Sequence, residues 1–266
     1  VLYQSMTVGE NLAFPLTTRG LNRNPADIAL RVKAVAEELN IEGILNRGAS
    51  GISLFEKQLV AIGRALVRPD VSMVLLDEPL TAVEPSVKWR LRQTLKQAQR
   101  DLGVTMVYVT HDQTEALTFA ERVAVLADGE ILQTGSPEDV YQNPAHEFVG
   151  HFLGSPGMNF LPVAELPETL RHRLKHQGDP ERLGFRPESA KLSAAGAFDL
   201  TGVVSSRRIL GTQQGDVISM YGLQCGDHSV FVRSSASQVV GDSVSIDLRH
   251  WVGFRNGIRV GRHGAE

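Results

Sequence analysis

The sequence predicts an α/β domain followed by a smaller β-rich domain. Two short aliphatic runs, residues 74–76 and 104–110, lie on either side of a helical pattern, as expected for buried strands of a parallel sheet. Around residues 154–157 this alternation gives way to short β-type segments separated by glycines, which is typical of a small barrel or sandwich. We therefore predict two domains, residues 1–154 and 155–266.

Composition excludes several classes of protein. The chain has 266 residues, a formal net charge of −3 and one cysteine, Cys225. A slightly negative chain without a basic block does not fit a nucleic-acid surface that works by phosphate neutralisation. One cysteine excludes an intrachain disulfide and fits a small core residue in a reducing compartment. Because no apolar run has the length of a membrane span, we expect a soluble chain that reaches a membrane only through partners.

The first part of the chain is helical. Thr7 has capping-box spacing with Glu10, so a short helix should follow Thr7, and Pro15 is expected to end it. Apolar residues at helical spacing predict a second helix over residues 25–39 and a third over residues 53–67.

Two adjacent carboxylates, Asp77 and Glu78, end the strand over residues 72–77. The run lacks polar alternation, so the strand should be buried on both faces, and it ends at the rim where α/β sheets bind ligands. Acidic side chains there are costly unless they meet a cation or a proton to move. We interpret the run as a Walker B strand, in which Asp77 holds Mg²⁺ and Glu78 polarises the water that attacks a γ-phosphate. The alternative is a solvated acidic turn.

His111 follows the second strand. A helix should open at Pro85 and end before Gly103, and the strand over residues 104–110 then delivers His111, before a helix capped by Asp112. A neutral imidazole can donate a hydrogen bond to a phosphate oxygen and sense whether the γ-phosphate is present. The alternative is a helix-terminal residue with a satisfied ring.

The rest of the first domain and the second domain are predicted from turn and cap signals. Asp128 and Gly129 indicate a hairpin, and Ser136 with Pro137 begins a further helix. The predicted strands of the second domain cover residues 200–205, 217–220, 229–232 and 244–248.

Some side chains are assigned structural roles. Four large aromatic residues are expected in cores or domain contacts, namely Trp89, Phe148, Phe152 and Trp251. Three basic residues of one helix should form a solvated face, namely Lys88, Arg90 and Arg92.

Taken in order, these motifs resemble the ATPase subunit of an ABC importer of the carbohydrate-uptake type. Residues 75–80 are similar to the Walker B region of that family, residues 81–84 stand where its D-loop lies, and residues 108–116 resemble its switch region. Residues 2–8 are similar to the segment after the Q-loop. Residues 154–160 and 184–188 resemble elements of the C-terminal domain. The resemblance is close to about residue 162 and looser beyond.

The resemblance implies a fold, an activity and site residues. The fold would be a P-loop NTPase-type α/β domain, incomplete at its N-terminus, followed by a small all-β domain of the OB-like, TOBE type. ATP and Mg²⁺ would be the cofactors. Glu78 and His111 would be catalytic, Asp77 would bind the metal, and Ser53 and Glu84 would join Asp77 in nucleotide binding.

Three departures from the family pattern limit these implications. No Walker A sequence G-x-x-x-x-G-K-[ST] occurs. In the family this loop lies upstream, so we expect the sequence, which begins at Val1, to be the downstream part of a longer protein and inactive alone.

Residues 52–56, Ile-Ser-Leu-Phe-Glu, stand where Leu-Ser-Gly-Gly-Gln is expected. Leu54 and Phe55 add bulk where glycines let backbone amides approach a phosphate, unless they only pack in the helical subdomain. Glu84 replaces the usual D-loop aspartate.

The implied partners are two integral membrane permease subunits, a second ATPase subunit and, indirectly, a solute-binding protein, at the cytoplasmic face of the inner membrane. Each ATP of an ABC dimer contacts Walker motifs of one subunit and the signature of the other. A degenerate signature therefore suggests a second, non-identical ATPase subunit. The sequence most resembles glycerol or glycerol-phosphate importers within the group.

Two other functions stay open. The chain could be a non-hydrolytic regulatory or scaffold subunit, whose β domain binds an effector or a signalling protein. It could also be a GTPase or another P-loop protein, although the switch histidine and the C-terminal β domain count against this.

Overall fold

The computed structural model describes residues 2–17, 24–81, 85–175, 178–194 and 200–263. The chain divides into two compact units, Val1–Asp112 and Gln113–Glu266. The domain boundary between residues 154 and 155 stays a prediction. In the described part of the chain, no helix is both long and apolar enough to cross a membrane.

The described residues of the first unit form four helices and a pair of strands. In chain order these elements are α1 (Val8–Thr17), α2 (Pro25–Glu38), α3 (Leu54–Leu66), β1 (Met73–Asp77), α4 (Pro85–Leu102) and β2 (Thr105–Val109). The strands are parallel, with Met73 opposite Thr105 and Asp77 opposite Val109. The predicted α/β arrangement of this part of the chain is confirmed.

A side-chain cap begins α1 as predicted. The Glu10 carboxylate accepts the Thr7 amide at 2.7 Å, and the Thr7 hydroxyl accepts the Glu10 amide at 3.1 Å. Pro15 does not end α1, which continues to Thr17. Proline lacks one amide donor and its ring crowds the carbonyl four residues earlier, but its fixed φ is helical, so the residues after it can complete the last turn.

Helix α3 packs closely against α1 and α2 at Gly63. A Cβ atom on Gly63 would lie 2.6 Å from Leu12 Cδ2 and 3.0 Å from Leu39 Cδ1, so a larger residue would push these side chains apart. Arg31 of α2 also caps the end of α3, since its guanidinium donates to the carbonyls of Leu66 and Val67 at 3.0 Å each. These contacts fix the position of α3.

The two faces of the β1–β2 sheet differ. Val74 and Leu76 are buried, whereas Leu75 is 72% exposed and Val109 is 55% exposed. Met73 and Val107 are exposed as well. The prediction that β1 is buried on both faces is therefore wrong for the described residues. Burial of both faces requires a covering layer on each side of the sheet, and no described residues form such a layer over the face that carries Leu75.

The second unit is richer in strands. Its elements are α5 (Gln113–Phe119), β3 (Val123–Ala127), β4 (Glu130–Gly135), α6 (Pro137–Gln142), α7 (Glu147–Phe152), β5 (Asn159–Pro162), α8 (Glu168–Lys175), β6 (Arg182–Phe185), β7 (Ala190–Ala194), β8 (Leu200–Gln213), β9 (Asp216–Cys225), β10 (His228–Ser234), β11 (Ser243–Leu248), β12 (Trp251–Arg255) and β13 (Ile258–His263). Strands β3 and β4 form the predicted hairpin, with positive φ at Asp128 and Gly129 as a tight turn requires.

Two antiparallel sheets follow. One has the strand order β10-β9-β8-β11-β7 and the other β13-β12-β6-β5. A continuous core of buried residues that includes Leu183, Phe185, Tyr221 and Trp251 joins strands of both sheets with α8. All four predicted strands exist, but β8 and β9 run much further than predicted, and α8 was not predicted. The assignment to an OB-like, TOBE-type fold stays a prediction.

Arg186 joins α6 and α7 to the strands of this unit. Its buried guanidinium donates to the Tyr141 carbonyl at 2.8 Å, to the Gly150 carbonyl at 2.9 Å and to the Leu153 carbonyl. It also lies 3.9 Å from the centre of the Tyr141 ring, and the Tyr141 hydroxyl donates to Glu188 at 2.8 Å. Burial, and next the Glu188 charge, raise the pKa of Tyr141 to about 12.

The two tryptophans differ. Trp251 is fully buried, as predicted, but Trp89 is 63% exposed, so its predicted burial is wrong. The buried stripe of α4 is Leu91, Leu95 and Ala98, and a residue two positions before Leu91 points away from that stripe. Cys225 is half-buried against the core of the second unit, and burial raises its pKa to about 11.

Candidate functional site

The ends of β1 and β2 bring Glu78 and His111 into contact. The Glu78 amide donates to the Val109 carbonyl at 2.9 Å, which ties the residue after β1 to the last residue of β2. His111 Nδ1 then lies 2.8 Å from Glu78 Oε1. These two predicted catalytic side chains therefore meet at the carboxyl end of the parallel strands, where α/β sheets bind ligands.

Glu78 has an unusual backbone conformation. Its φ is +44°, in the left-handed region that costs free energy for any residue with a Cβ. The Thr81 amide donates to the Glu78 carbonyl at 3.2 Å, and the Thr81 hydroxyl donates to Glu78 Oε2 at 3.0 Å. Contacts of this kind are what hold a strained residue in place.

The environment of Glu78 favours its ionised form. The hydrogen bond with His111 and, next, the hydrogen bond from Thr81 lower the pKa of Glu78, because both partners stabilise the carboxylate. The side chain is exposed, so solvent weakens the effect. At neutral pH the group is a carboxylate that can polarise a water molecule.

A second pair holds the segment around His111. The Asp112 amide donates to the Thr110 hydroxyl at 3.0 Å, and Lys88 Nζ lies 3.4 Å from Asp112 Oδ2. The expectation that Lys88 belongs to a solvated face is wrong, because its side chain is only 22% exposed and it meets a carboxylate from the β2–α5 connection. A contact over 24 positions of sequence separation cannot be read from local patterns.

Asp77 is the last residue of β1 and is exposed. Among the described residues, no group of three or more His, Cys, Asp or Glu could hold a metal ion. A single accessible carboxylate nevertheless suits Mg²⁺ when substrate phosphates and water complete the coordination. The donor at Asp77 therefore fits Mg²⁺ that arrives with a nucleotide.

Ser53 begins α3 in a capping box. Its hydroxyl accepts the Glu56 amide at 3.2 Å, and its own amide donates to Glu56 Oε2 at 2.6 Å. Hydrogen bonding from the Ser53 amide is the main cause that lowers the pKa of Glu56, and Arg47 lies 3.6 Å from the carboxylate. The Glu56 charge is therefore engaged within the chain.

The two residues that replace the expected glycines differ in exposure. Leu54 is 55% exposed and Phe55 is half-buried. The alternative that both residues only pack in the helical subdomain is therefore wrong for Leu54. Leu54 is the first residue of α3, and the first amides of a helix are the ones that an anion would approach.

The predicted site residues are placed unequally. Glu78 and His111 touch, and Asp77 precedes Glu78, whereas Ser53 starts a separate element. Glu84 lies outside the described residues. Sequence reasoning missed Thr81, although a threonine three residues after an acidic residue in a turn is a known local hydrogen-bonding pattern.

The comparison with protein-family models finds no match. Among curated proteins, the sn-glycerol-3-phosphate import ATP-binding protein UgpC of Vibrio vulnificus (strain CMCP6) is 38% identical over 261 residues, which cover 93% of this chain and 68% of that protein. The protein of the same name from Vibrio cholerae is 44% identical over 200 residues, covering 72% of this chain and 53% of that protein.

A third relative carries a different name. The trehalose/maltose import ATP-binding protein MalK of Thermococcus litoralis is 48% identical over 160 residues, covering 60% of this chain and 42% of that protein. The chain thus spans about half of the Vibrio cholerae relative and about two thirds of the Vibrio vulnificus relative. The order of the motifs and this similarity agree, and the chain belongs to the family of ATP-binding subunits of ABC importers for sugars and glycerol phosphate.

Proposed function

We propose that the protein containing this chain hydrolyses ATP to drive the import of glycerol phosphate or a related carbohydrate through two membrane permease subunits. The contact between Glu78 and His111 carries the proposal. Two side chains with complementary chemistry, from the ends of two parallel strands, lie 2.8 Å apart beside a further carboxylate, Asp77. The protein works at the cytoplasmic face of the membrane, with a solute-binding protein as an indirect partner.

The residues have separate roles. Glu78 takes the proton of the attacking water, and its lowered pKa keeps the carboxylate ionised and able to accept a hydrogen bond from that water at neutral pH. His111 donates to an oxygen of the γ-phosphate and fixes Glu78 through its other nitrogen. Asp77 holds Mg²⁺, which when bound neutralises charge on the phosphates. Water attack at phosphorus makes one P–O bond and breaks the bond to ADP.

The glycine-rich phosphate loop comes from residues outside the 266 of this chain. The exposed apolar face with Leu75 and Val109 supports this, because a parallel sheet at a nucleotide site is covered on both faces. The same segment would add further strands beside β1 and β2. The 266 residues alone are accordingly expected to bind nucleotide weakly.

The second ATPase subunit is not identical to this one. The exposed side chain of Leu54 obstructs the amides at the start of α3, whereas the charge of Glu56 is already engaged by Ser53 and Arg47. A nucleotide that contacts the start of this α3 is therefore bound with lower affinity. The double variant Leu54→Gly, Phe55→Gly should raise the ATP turnover of the complex, and mass measurement should give two different ATPase chains. A stoichiometric homodimer with two equally active sites contradicts the arrangement.

ATP turnover by the full-length protein in its complex tests the hydrolytic role. Glu78→Gln should lower turnover about 100-fold or more, as for loss of a general base, with ATP affinity retained. Glu42→Gln is the matched control, because Glu42 is exposed and lies on a different element. Unchanged turnover and transport in Glu78→Gln would favour the scaffold alternative.

The solute is tested separately. Membrane vesicles containing the complex should accumulate labelled sn-glycerol-3-phosphate in an ATP-dependent manner, and maltose less. Stronger accumulation of maltose would contradict the proposed solute but not the proposed ATP hydrolysis. The solute would then be a disaccharide, the class named for the Thermococcus litoralis relative.

A further inference from the structure

The carboxylate of Glu78 is held at both of its oxygens. Oε1 meets His111 Nδ1 at 2.8 Å, and Oε2 accepts the Thr81 hydroxyl at 3.0 Å. A carboxylate held at one oxygen can still rotate about that contact, whereas two contacts define its plane. We propose that Thr81 is a positioning residue, whose hydroxyl fixes the orientation of the Glu78 carboxylate. Its catalytic meaning rests on the proposed function.

The backbone shows why such a contact is needed. Glu78 lies in the left-handed region with φ +44°. A residue with a Cβ atom stays in this region only when surrounding interactions stabilise it there. The Val109 carbonyl fixes its amide, and the Thr81 amide fixes its carbonyl. These two bonds fix the main chain and leave the side chain to be oriented by its own contacts.

The Glu78 side chain is also unconfined by packing. It is 43% exposed, so neighbouring atoms do not select one rotamer, and a long flexible side chain loses entropy when it is ordered. The hydroxyl of Thr81 orders it at little cost, because Thr81 lies in the same turn and is β-branched, with few side-chain orientations of its own.

Thr81 is therefore proposed to act through Glu78, without touching the nucleotide or the attacking water itself. A mispositioned general base lowers the rate of the chemical step but leaves substrate binding largely unchanged. This separates a positioning role from a general contribution to folding, which would reduce ATP affinity and stability as well.

The kinetic test uses the full-length protein in its complex. Thr81→Val keeps the β-branched shape and removes the hydroxyl, and Thr81→Ser keeps the hydroxyl. Thr81→Val should lower kcat about tenfold, the effect of losing one hydrogen bond to a charged group, with KM for ATP changed less than twofold. Thr81→Ser should stay within about threefold of the wild type. Equal kcat in all three proteins, or equal losses in both variants, would overturn the proposal.

A second measurement does not depend on activity. In the 266-residue chain without nucleotide or metal, ¹⁵N spectra of labelled histidine report the hydrogen bond at His111 Nδ1, and Glu78→Gln identifies the His111 signal. Thr81→Val should move that signal towards its position in Glu78→Gln, while Thr81→Ser should leave it in place. A His111 signal that is the same in wild type and Thr81→Val contradicts the proposal, even where thermal unfolding shows that both proteins are folded.

The two tests separate this inference from the proposed function. If the full-length protein hydrolyses no ATP, the proposed function fails, and the histidine signals alone decide whether Thr81 positions Glu78. If ATP is hydrolysed and Thr81→Val behaves as wild type in both tests, only the inference about Thr81 fails.

Discussion

The two units of the chain differ in how completely their strands are covered. In the second unit, two antiparallel sheets share a continuous core, and the residues at its centre, such as Phe185 and Trp251, are fully buried. In the first unit, the described sheet has two strands, and Leu75 and Val109 of one face are exposed. The candidate catalytic residues lie on the less completely covered sheet. The candidate catalytic residues and the continuous buried core thus lie in different units of the chain.

The largest effect is expected in the second unit, at Arg186. Arg186→Met should lower the free energy of unfolding of this unit by about 3–5 kcal/mol, because the buried carbonyls of Tyr141, Gly150 and Leu153 lose their donors and each costs about 1–3 kcal/mol. Urea denaturation in a Trp89→Phe background measures it, since Trp251 then reports the second unit alone.

Arg182, four residues before Arg186 in the sequence, provides a matched control. Arg182 is in β6 and pairs with Glu147 at 2.6 Å, but its side chain is 45% exposed. Arg182→Met should cost about 1 kcal/mol, less than Arg186→Met, because this ion pair is partly exposed to solvent. A similar loss in both variants would mean that burial of Arg186 is not what makes it important.

The next effect sharpens the contrast between the faces of β1. Leu76→Ala should cost about 2–4 kcal/mol, because Leu76 is buried, whereas Leu75→Ala should cost less than about 1 kcal/mol in the 266-residue chain. Amide hydrogen exchange in β1 and β2 measures both. In the full-length protein the two costs should become similar, since the proposed segment covers Leu75. Equal costs already in the 266-residue chain would show that the face is covered without that segment.

The smallest effect concerns the cap of α3. Hydrogen bonding from the Ser53 amide lowers the pKa of Glu56, so the folded state binds this proton less readily than the unfolded state. The stabilisation is therefore present above the ordinary glutamate pKa of about 4.3 and is lost as the pH falls through the lowered value. Glu56→Gln should cost about 1 kcal/mol at pH 7 and close to nothing near pH 2.

Thermal unfolding at both pH values gives this measurement, with Glu42→Gln as the control that changes one exposed charge without a cap. A cost for Glu56→Gln that persists undiminished at low pH would assign the effect to packing instead of to the ionised carboxylate.

Local chemistry explains which features the sequence could predict. Caps and tight turns depend on a few neighbouring residues, so the box of Thr7 and Glu10 and the turn at Asp128 follow from spacing. The helices over residues 25–39 and 53–67 depend only on the periodicity of their apolar residues. These predictions are confirmed because no distant residue has to be known.

The features that sequence reasoning missed depend on distant partners. Lys88 meets Asp112 across 24 positions, and Arg186 meets Tyr141 across 45, which no periodic pattern encodes. The burial of Leu75 was predicted from its neighbours in sequence, but it depends on what covers the sheet. The order of motifs in a known family places Glu78 and His111 in one predicted site, but their direct contact was not predicted.

The left-handed backbone of Glu78 has a consequence for protein engineering. Glycine adopts this conformation without a steric penalty, so a screen that rewards heat resistance alone should enrich Glu78→Gly and discard the carboxylate. With the role proposed for Glu78, such stabilised versions would lose ATP hydrolysis, as expected where a strained residue is kept for activity. A screen for robust variants must therefore hold position 78 constant.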